Sequence, residues 1–189
     1  MEAFLVSCGL VALAEMGDKT QLLSLMLAAR FGRPKPIVFG ILIATLANHA
    51  LAGAVGAWVA DTVGMDRMRW ILGISFFAMS LWALIPDKME KVETQNGRWG
   101  VFGTTLLLFF LAEMGDKTQV ATVALAARFQ SVYVIVAGTT IGMMIANVPV
   151  VYFGEKISRK IPLKVLRFIT AGFFGILGIL TLVNFGNIF

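Results

Sequence analysis

The sequence predicts an all-α integral membrane protein whose six transmembrane helices form two inverted-topology three-helix repeats. Three observations carry that prediction. The 189 residues are 58% hydrophobic and 14% charged, with a mean hydropathy of +0.84, too little polar surface for a soluble domain of this size. Six stretches stay apolar over the roughly 20 residues that a helix needs to cross a bilayer at about 1.5 Å per residue. The stretch 13–31, LAEMGDKTQLLSLMLAARF, returns at 111–129 as LAEMGDKTQVATVALAARF, with fourteen of nineteen positions identical at an offset of 98.

The first span, 4–29, holds the first copy of this motif. The chain starts Met-Glu-Ala without a basic n-region, and the apolar run carries acids, so a cleaved leader is not expected. Pro34 and Pro36 mark a turn, flanked by Arg30, Arg33 and Lys35, before the second span at 37–60; the third lies at 68–85. The longest polar stretch, 87–99, carries Lys88, Lys91 and Arg98 among Asp87, Glu90 and Glu93, and divides the chain into repeats 1–86 and 100–189. The fourth span, 101–127, holds the second motif, the fifth is 132–153 with Pro149 inside it, and the sixth is 165–184.

Three spans is an odd number, so the second repeat enters the membrane in the opposite direction to the first, as in inverted-repeat transporters. Beyond the motif, Gly40 answers Gly138 at the same offset, and Asn48 answers Asn147 after a one-residue slip. Eleven Lys and Arg lie in the 30–35, 87–99 and 156–167 connections, against Arg67, Arg69 and Arg128 on the other side. The positive-inside rule then turns both termini away from the cytoplasm. It also accounts for the net charge of +5 without nucleic acid.

Each motif buries Glu, Asp and Lys where an ionisable group is costly, about 2.5 to 3.5 kcal/mol each near the bilayer centre, and is usually functional. Glu15 and Glu113 fall roughly 17 Å into a hydrocarbon core of about 30 Å, near its middle. On a continuous helix Glu15, Asp18 and Lys19 project from one side, and so do Glu113, Asp116 and Lys117. Gly17 and Gly115 are the natural places for the helices to unwind. Four carboxylates and two ammonium groups leave a formal charge of −2, which one divalent cation neutralises.

The oxygen-rich set of Glu15, Asp18, Thr20, Gln21, Glu113, Asp116, Thr118 and Gln119 suits manganese, calcium or magnesium. Zinc, copper or nickel would call for clustered His or Cys, and the chain has one of each. Cys8 leaves no disulfide or thiolate cluster within one chain. His49, opposite Val148 in the other repeat, reads as a satisfied packing residue. Met16 and Met114 read as apolar packing. Asn48 and Asn147 recur in mid-span and are expected to line the site or to tie helices together. Lys19 and Lys117 either pair with the acids when the site is empty and yield to an ion, or serve as permanent staples. Gly53, Gly56, Gly172, Gly175 and Gly178 are expected at close helix contacts, and Trp70, Trp82, Trp99 and Tyr133 at the interface. Gly-Asp-Lys-Thr is no phosphate loop, because it lies inside a hydrophobic helix rather than after a strand, and no Ser-His-Asp set exists.

Glu-Met-Gly-Asp-Lys-Thr, present twice in six spans, resembles the Glu-x-Gly-Asp-[Lys/Arg]-[Thr/Ser] signature of a cation/proton antiporter family that includes bacterial manganese exporters and Golgi manganese and calcium transporters. The resemblance covers essentially the whole chain. It implies export of manganese across the bacterial plasma membrane in exchange for protons. It also implies one cation site made from Glu15, Asp18, Glu113 and Asp116, with Thr20 and Thr118 at the hydroxyl positions and Lys19 and Lys117 at the basic ones. No resident cofactor is expected; the partners are the divalent cation, protons and the bilayer, and the protein works as a monomer or a homodimer. Three other readings remain open at this point: a calcium/proton exchanger of the same fold, an intramembrane hydrolase with Glu15 and Glu113 around a metal-bound water, and a scaffold stapled by the motifs.

Overall fold

The computed structural model describes residues 1–63, 65–85, 99–154 and 163–183. The predicted linker 87–99, apart from Trp99, and the basic residues Lys156, Arg159 and Lys160 lie outside the described residues. Among the described residues every regular element is a helix: α1 (Glu2–Glu15), α2 (Lys19–Phe31), α3 (Pro34–Val63), α4 (Met65–Ala83), α5 (Gly100–Glu113), α6 (Lys117–Phe129), α7 (Val132–Phe153) and α8 (Leu163–Leu182).

The first and fourth predicted spans are each broken in two. α1 stops at Glu15 because Met16 is extended and Gly17 adopts φ +83°; α5 stops at Glu113 because Met114 is extended and Gly115 adopts φ +76°. Only glycine takes such a backbone without strain. α2 ends at Gly32 in the left-handed conformation, its N–H donated to the Ala28 carbonyl, and Pro34 opens α3 at a position where its missing N–H costs nothing.

Two helices, Pro34–Val63 and Val132–Phe153, are long and apolar enough to cross a membrane. They lie at the centre and pack on each other. α1 packs on α7, α5 on α3, and α4 on α8. Equivalent contacts recur in exchanged form. Gly40 of α3 receives Thr105 and Phe102 of α5, and Gly138 of α7 receives Ser7 and Phe4 of α1; each residue stands 98 positions from its counterpart. A side chain at either glycine would collide with these partners. Gly53 and Gly178 are close-packed as expected, against Val132 and Val136 and against Phe77, whereas Gly172 has nothing within 4 Å of a Cβ placed on it and is exposed.

The outside is apolar. Phe39, Trp58, Leu81, Phe168 and Val183 are each more than 60% exposed, a surface that water would not tolerate over such an area and that lipid solvates. Trp70, Trp99 and Tyr133 are exposed near helix ends. Polar groups are turned inward instead.

Candidate cation site

The two helix breaks face each other and build one buried site. Asp18 and Asp116 stand at the N-caps of α2 and α6, yet neither side chain makes the capping hydrogen bond. The glutamine three residues on reaches back in their place: Gly17 N–H donates to Gln21 Oε1 at 2.8 Å, and Gly115 N–H to Gln119 Oε1 at 2.6 Å. This is the reciprocal half of a capping box, shifted by one residue. It ties down the turn and leaves the aspartates for other work.

That work is pairing across the repeats. Lys117 Nζ lies 2.7 Å from Asp18 Oδ1, and Lys19 Nζ lies 3.2 Å from Asp116 Oδ1. The expectation of one continuous helix face is corrected here. The backbone unwinds between Glu15 and Lys19, so the i, i+3 and i, i+4 relations within each motif do not hold, and each lysine reaches the opposite motif.

Glu15 and Glu113 are fully buried. Thr20 Oγ1 donates to Glu15 Oε2 at 2.5 Å, and Thr118 Oγ1 to Glu113 Oε2 at 3.1 Å. The remaining oxygens, Glu15 Oε1, Glu113 Oε1 and Asp116 Oδ2, are buried without a hydrogen-bond partner among the described residues. One carboxylate oxygen from each of Glu15, Glu113 and Asp116 lies within 4.8 Å of the other two. Oxygens on opposite sides of a hard divalent ion are about 4 to 5 Å apart, so the trio matches such an ion in span, and with the Lys19 ammonium beside Asp116 it also matches in charge. α1 and α5 end here and α2 and α6 begin here, so the helix dipoles oppose one another and the preference for a cation rests on the carboxylates.

The other predicted residues surround this centre. Asn48 Nδ2 donates to the Phe110 carbonyl at 2.9 Å, and Gln119 Nε2 donates to Asn48 Oδ1 at 3.3 Å, joining α3 to α5 and α6. Asn147 Oδ1 accepts from Ser24 Oγ at 2.7 Å, and Gln21 Nε2 donates to the Ala146 carbonyl at 3.0 Å, joining α7 to α2. Gln21 and Gln119 therefore have both ends of their amides engaged. His49 is buried, but neither ring nitrogen has a hydrogen-bond partner among the described residues, so it is packed without being satisfied. Met16 is half-buried and Met114 is exposed. Ser24 was missed by the sequence reasoning; its counterpart Thr122, a hydroxyl at the same offset, was the signal that could have found it.

Carboxylates gathered from two sequence copies, buried in an apolar helical bundle and left with uncommitted oxygens, belong to a membrane protein that carries cations. Comparison with known sequences agrees. The model of the family described as "Divalent cation/proton antiporter GDT1" matches twice, at residues 3–91 and 101–187, and the chain belongs to this family. It is 47% identical, over 96% of its length and 90% of the relative's, to a Vibrio cholerae protein named "Putative manganese exporter". It is 27% identical to a GDT1-like protein of Synechocystis over 89% of this chain and 91% of that one. To GDT1-like protein 5 of Arabidopsis thaliana it is 22% identical, over 97% and 96%. No solved structure matches significantly. The chain is thus a transporter and not an enzyme, which removes the hydrolase reading, and membership of a transport family leaves no room for a mere scaffold.

Proposed function

We propose that this protein exports Mn2+ across the bacterial plasma membrane in exchange for protons, through one site near the bilayer middle. The observation that carries the reading is the convergence of Glu15, Glu113 and Asp116 within 4.8 Å, buried and drawn from both motifs. Asp18, paired to Lys117, completes the acidic set. In this reading 1–86 and 100–189 are inverted three-helix repeats joined by the linker 87–99, with both termini outside the cytoplasm, and a monomer already contains the whole site.

The chemistry follows from burial. An ion that leaves uncovers carboxylates in a medium that penalises bare charge, so protons or the motif lysines must neutralise them, and binding of the next ion expels what took its place. Thr20 and Thr118 orient the two glutamates for that exchange. Manganese is favoured by the 47% identical relative named as an exporter of it; a donor set of oxygens alone also suits calcium, and the same assay separates the two.

The test is ion flux in sealed proteoliposomes under an imposed pH gradient, with Mn2+ and Ca2+ supplied separately. The expected result is Mn2+ moving against protons and falling to the protein-free background in Glu15→Gln plus Glu113→Gln. Mn2+ transport surviving in that double variant sinks the reading.

A further inference from the structure

The two sides of the site are packed differently. On one side α6 seats against α3: Ala126 and the Val123 carbonyl oxygen press on Gly56, leaving no room for a side chain there. At the same 98-residue offset stand Leu25 of α2 and Gly154, the residue that caps the end of α7. There the nearest described atom to a Cβ placed on Gly154 is Leu25 Cδ1, at 3.9 Å. The difference widens outward, for Ala127 and Arg128 are buried whereas Ala29 and Arg30 are exposed. α2 and α7 touch at the site through Ser24 and Asn147, share a buried cluster through Leu27 and Val151, and splay only at the outer end of α2, where Ala29 and Arg30 are exposed.

The ion pairs divide in the same way. The Lys117–Asp18 pair is buried, with side chains 7% and 1% exposed; in the Lys19–Asp116 pair the lysine is 30% exposed. Of the two aspartates, Asp116 joins the glutamates in the converging trio, and its lysine, the first residue of α2, is the more exposed of the two.

We propose, on the basis of the antiport reading above, that the cation is held by both glutamates throughout and by Asp116 or Asp18 in turn. In the present state, loose along α2, an arriving ion displaces Lys19 from Asp116 while Lys117 keeps Asp18 locked. When α2 closes on α7 at Gly154 and α6 parts from α3 at Gly56, the pairs exchange roles: Lys19 locks Asp116, and Lys117 is the lysine displaced. Each lysine is the stand-in for the ion in one state. With the ion bound the charges balance, since three carboxylates, the displaced ammonium and a divalent ion sum to zero and the locked pair is neutral by itself; when the ion leaves, the ammonium returns to its aspartate and the two protons of the antiport reading replace the ion's two charges at the glutamates.

The test wedges the loose seam open with Leu25→Trp, or with the milder Leu25→Phe should the first not fold, and titrates purified protein in detergent with Mn2+ by calorimetry. Flux in proteoliposomes is expected to be lost and binding kept. In the wedged protein Asp116→Asn is expected to weaken Mn2+ binding by about thirtyfold or more, as loss of one buried charged partner does. Asp18→Asn combined with Lys117→Met, which removes the locked pair as a neutral unit and strands no ammonium beside the ion, changes it by less than about threefold. Equal losses for the two aspartates would overturn the alternation in favour of one four-carboxylate site. In a Cys8→Ala background, Ala29→Cys should react with a hydrophilic thiol reagent faster than Ala127→Cys; equal rates, or undiminished flux in both wedged proteins, overturn the gate. Failure of the antiport reading shows separately, as Mn2+ transport that survives loss of both glutamates.

Discussion

The α3–α6 seam and the α2–α7 seam are drawn from nearly the same sequence, yet one is closed and the other splayed. The five positions at which the two motif stretches differ are consecutive and make up just over one turn of each seam helix: Leu22, Leu23, Ser24, Leu25 and Met26 in α2, against Val120, Ala121, Thr122, Val123 and Ala124 in α6. The α6 set is smaller. Small residues let backbones approach, and Ala121 and Ala124 are buried where α6 meets its neighbours, while Leu22 and Met26 remain exposed. α6 is also covered by α4. The residues that converge on the site are repeated without change, and the residues that set how tightly each arm packs are not. Identical chemistry thus sits at the centre of two seams that are packed unequally.

The largest expected effect breaks the comparison at the ion pairs. Lys117→Met leaves Asp18 in a buried place without its cation, a change that typically costs about 3 to 5 kcal/mol. Lys19→Met also strands a buried aspartate, but the lysine removed is 30% exposed and its pair is longer, 3.2 Å against 2.7 Å, so a smaller cost is expected. Thermal unfolding in detergent should rank Lys117→Met well below Lys19→Met. Equal losses would mean that the two pairs are energetically alike and that their difference in burial has no consequence.

Much of this centre is legible in the sequence. The doubled motif announces a site made from both halves, the acids inside apolar spans announce a cation, and Gly17 and Gly115 mark where the helices unwind. The pairing is not legible. Spacing within a motif suggests that Lys19 answers Glu15 four residues earlier, and only the break turns Lys19 toward Asp116. Gln21 and Gln119 carry oxygens that suit a hard ion, but spacing does not show that those oxygens also accept the N–H groups left by the turns at Gly17 and Gly115. The inequality of the seams is hidden for another reason: it depends on how each arm packs against helices far along the chain, α6 on α3 and α4 and α2 on α7.

A second prediction tests whether the breaks, unlike the seams, are equivalent. Gly17 and Gly115 adopt φ values of +83° and +76°, and a Cβ placed on Gly115 meets nothing within 4 Å. Gly115→Ala therefore costs only the left-handed backbone, about 1 to 2 kcal/mol. Gly17→Ala is expected to cost the same, because the same turn is made there with the same glutamine bond. Equal drops in melting temperature support a common break. A much larger loss at one position would show that the asymmetry of the seams reaches into the turns.

The smallest effect sharpens the comparison most directly, because it alters the seam and nothing at the site. Met26 is exposed in α2, and its counterpart Ala124 is buried in α6. Met26→Ala gives α2 the residue that α6 uses. As a surface change it should alter stability by no more than about 0.5 kcal/mol. If the size of the variable residues holds the α2–α7 seam apart, this variant closes more readily, and the reactivity of Ala29→Cys in a Cys8→Ala background should fall by roughly twofold, the shift that about 0.4 kcal/mol produces in a two-state equilibrium. Reactivity that stays constant while the protein folds normally would assign the open seam to the covering of α6 by α4 rather than to the side chains of α2.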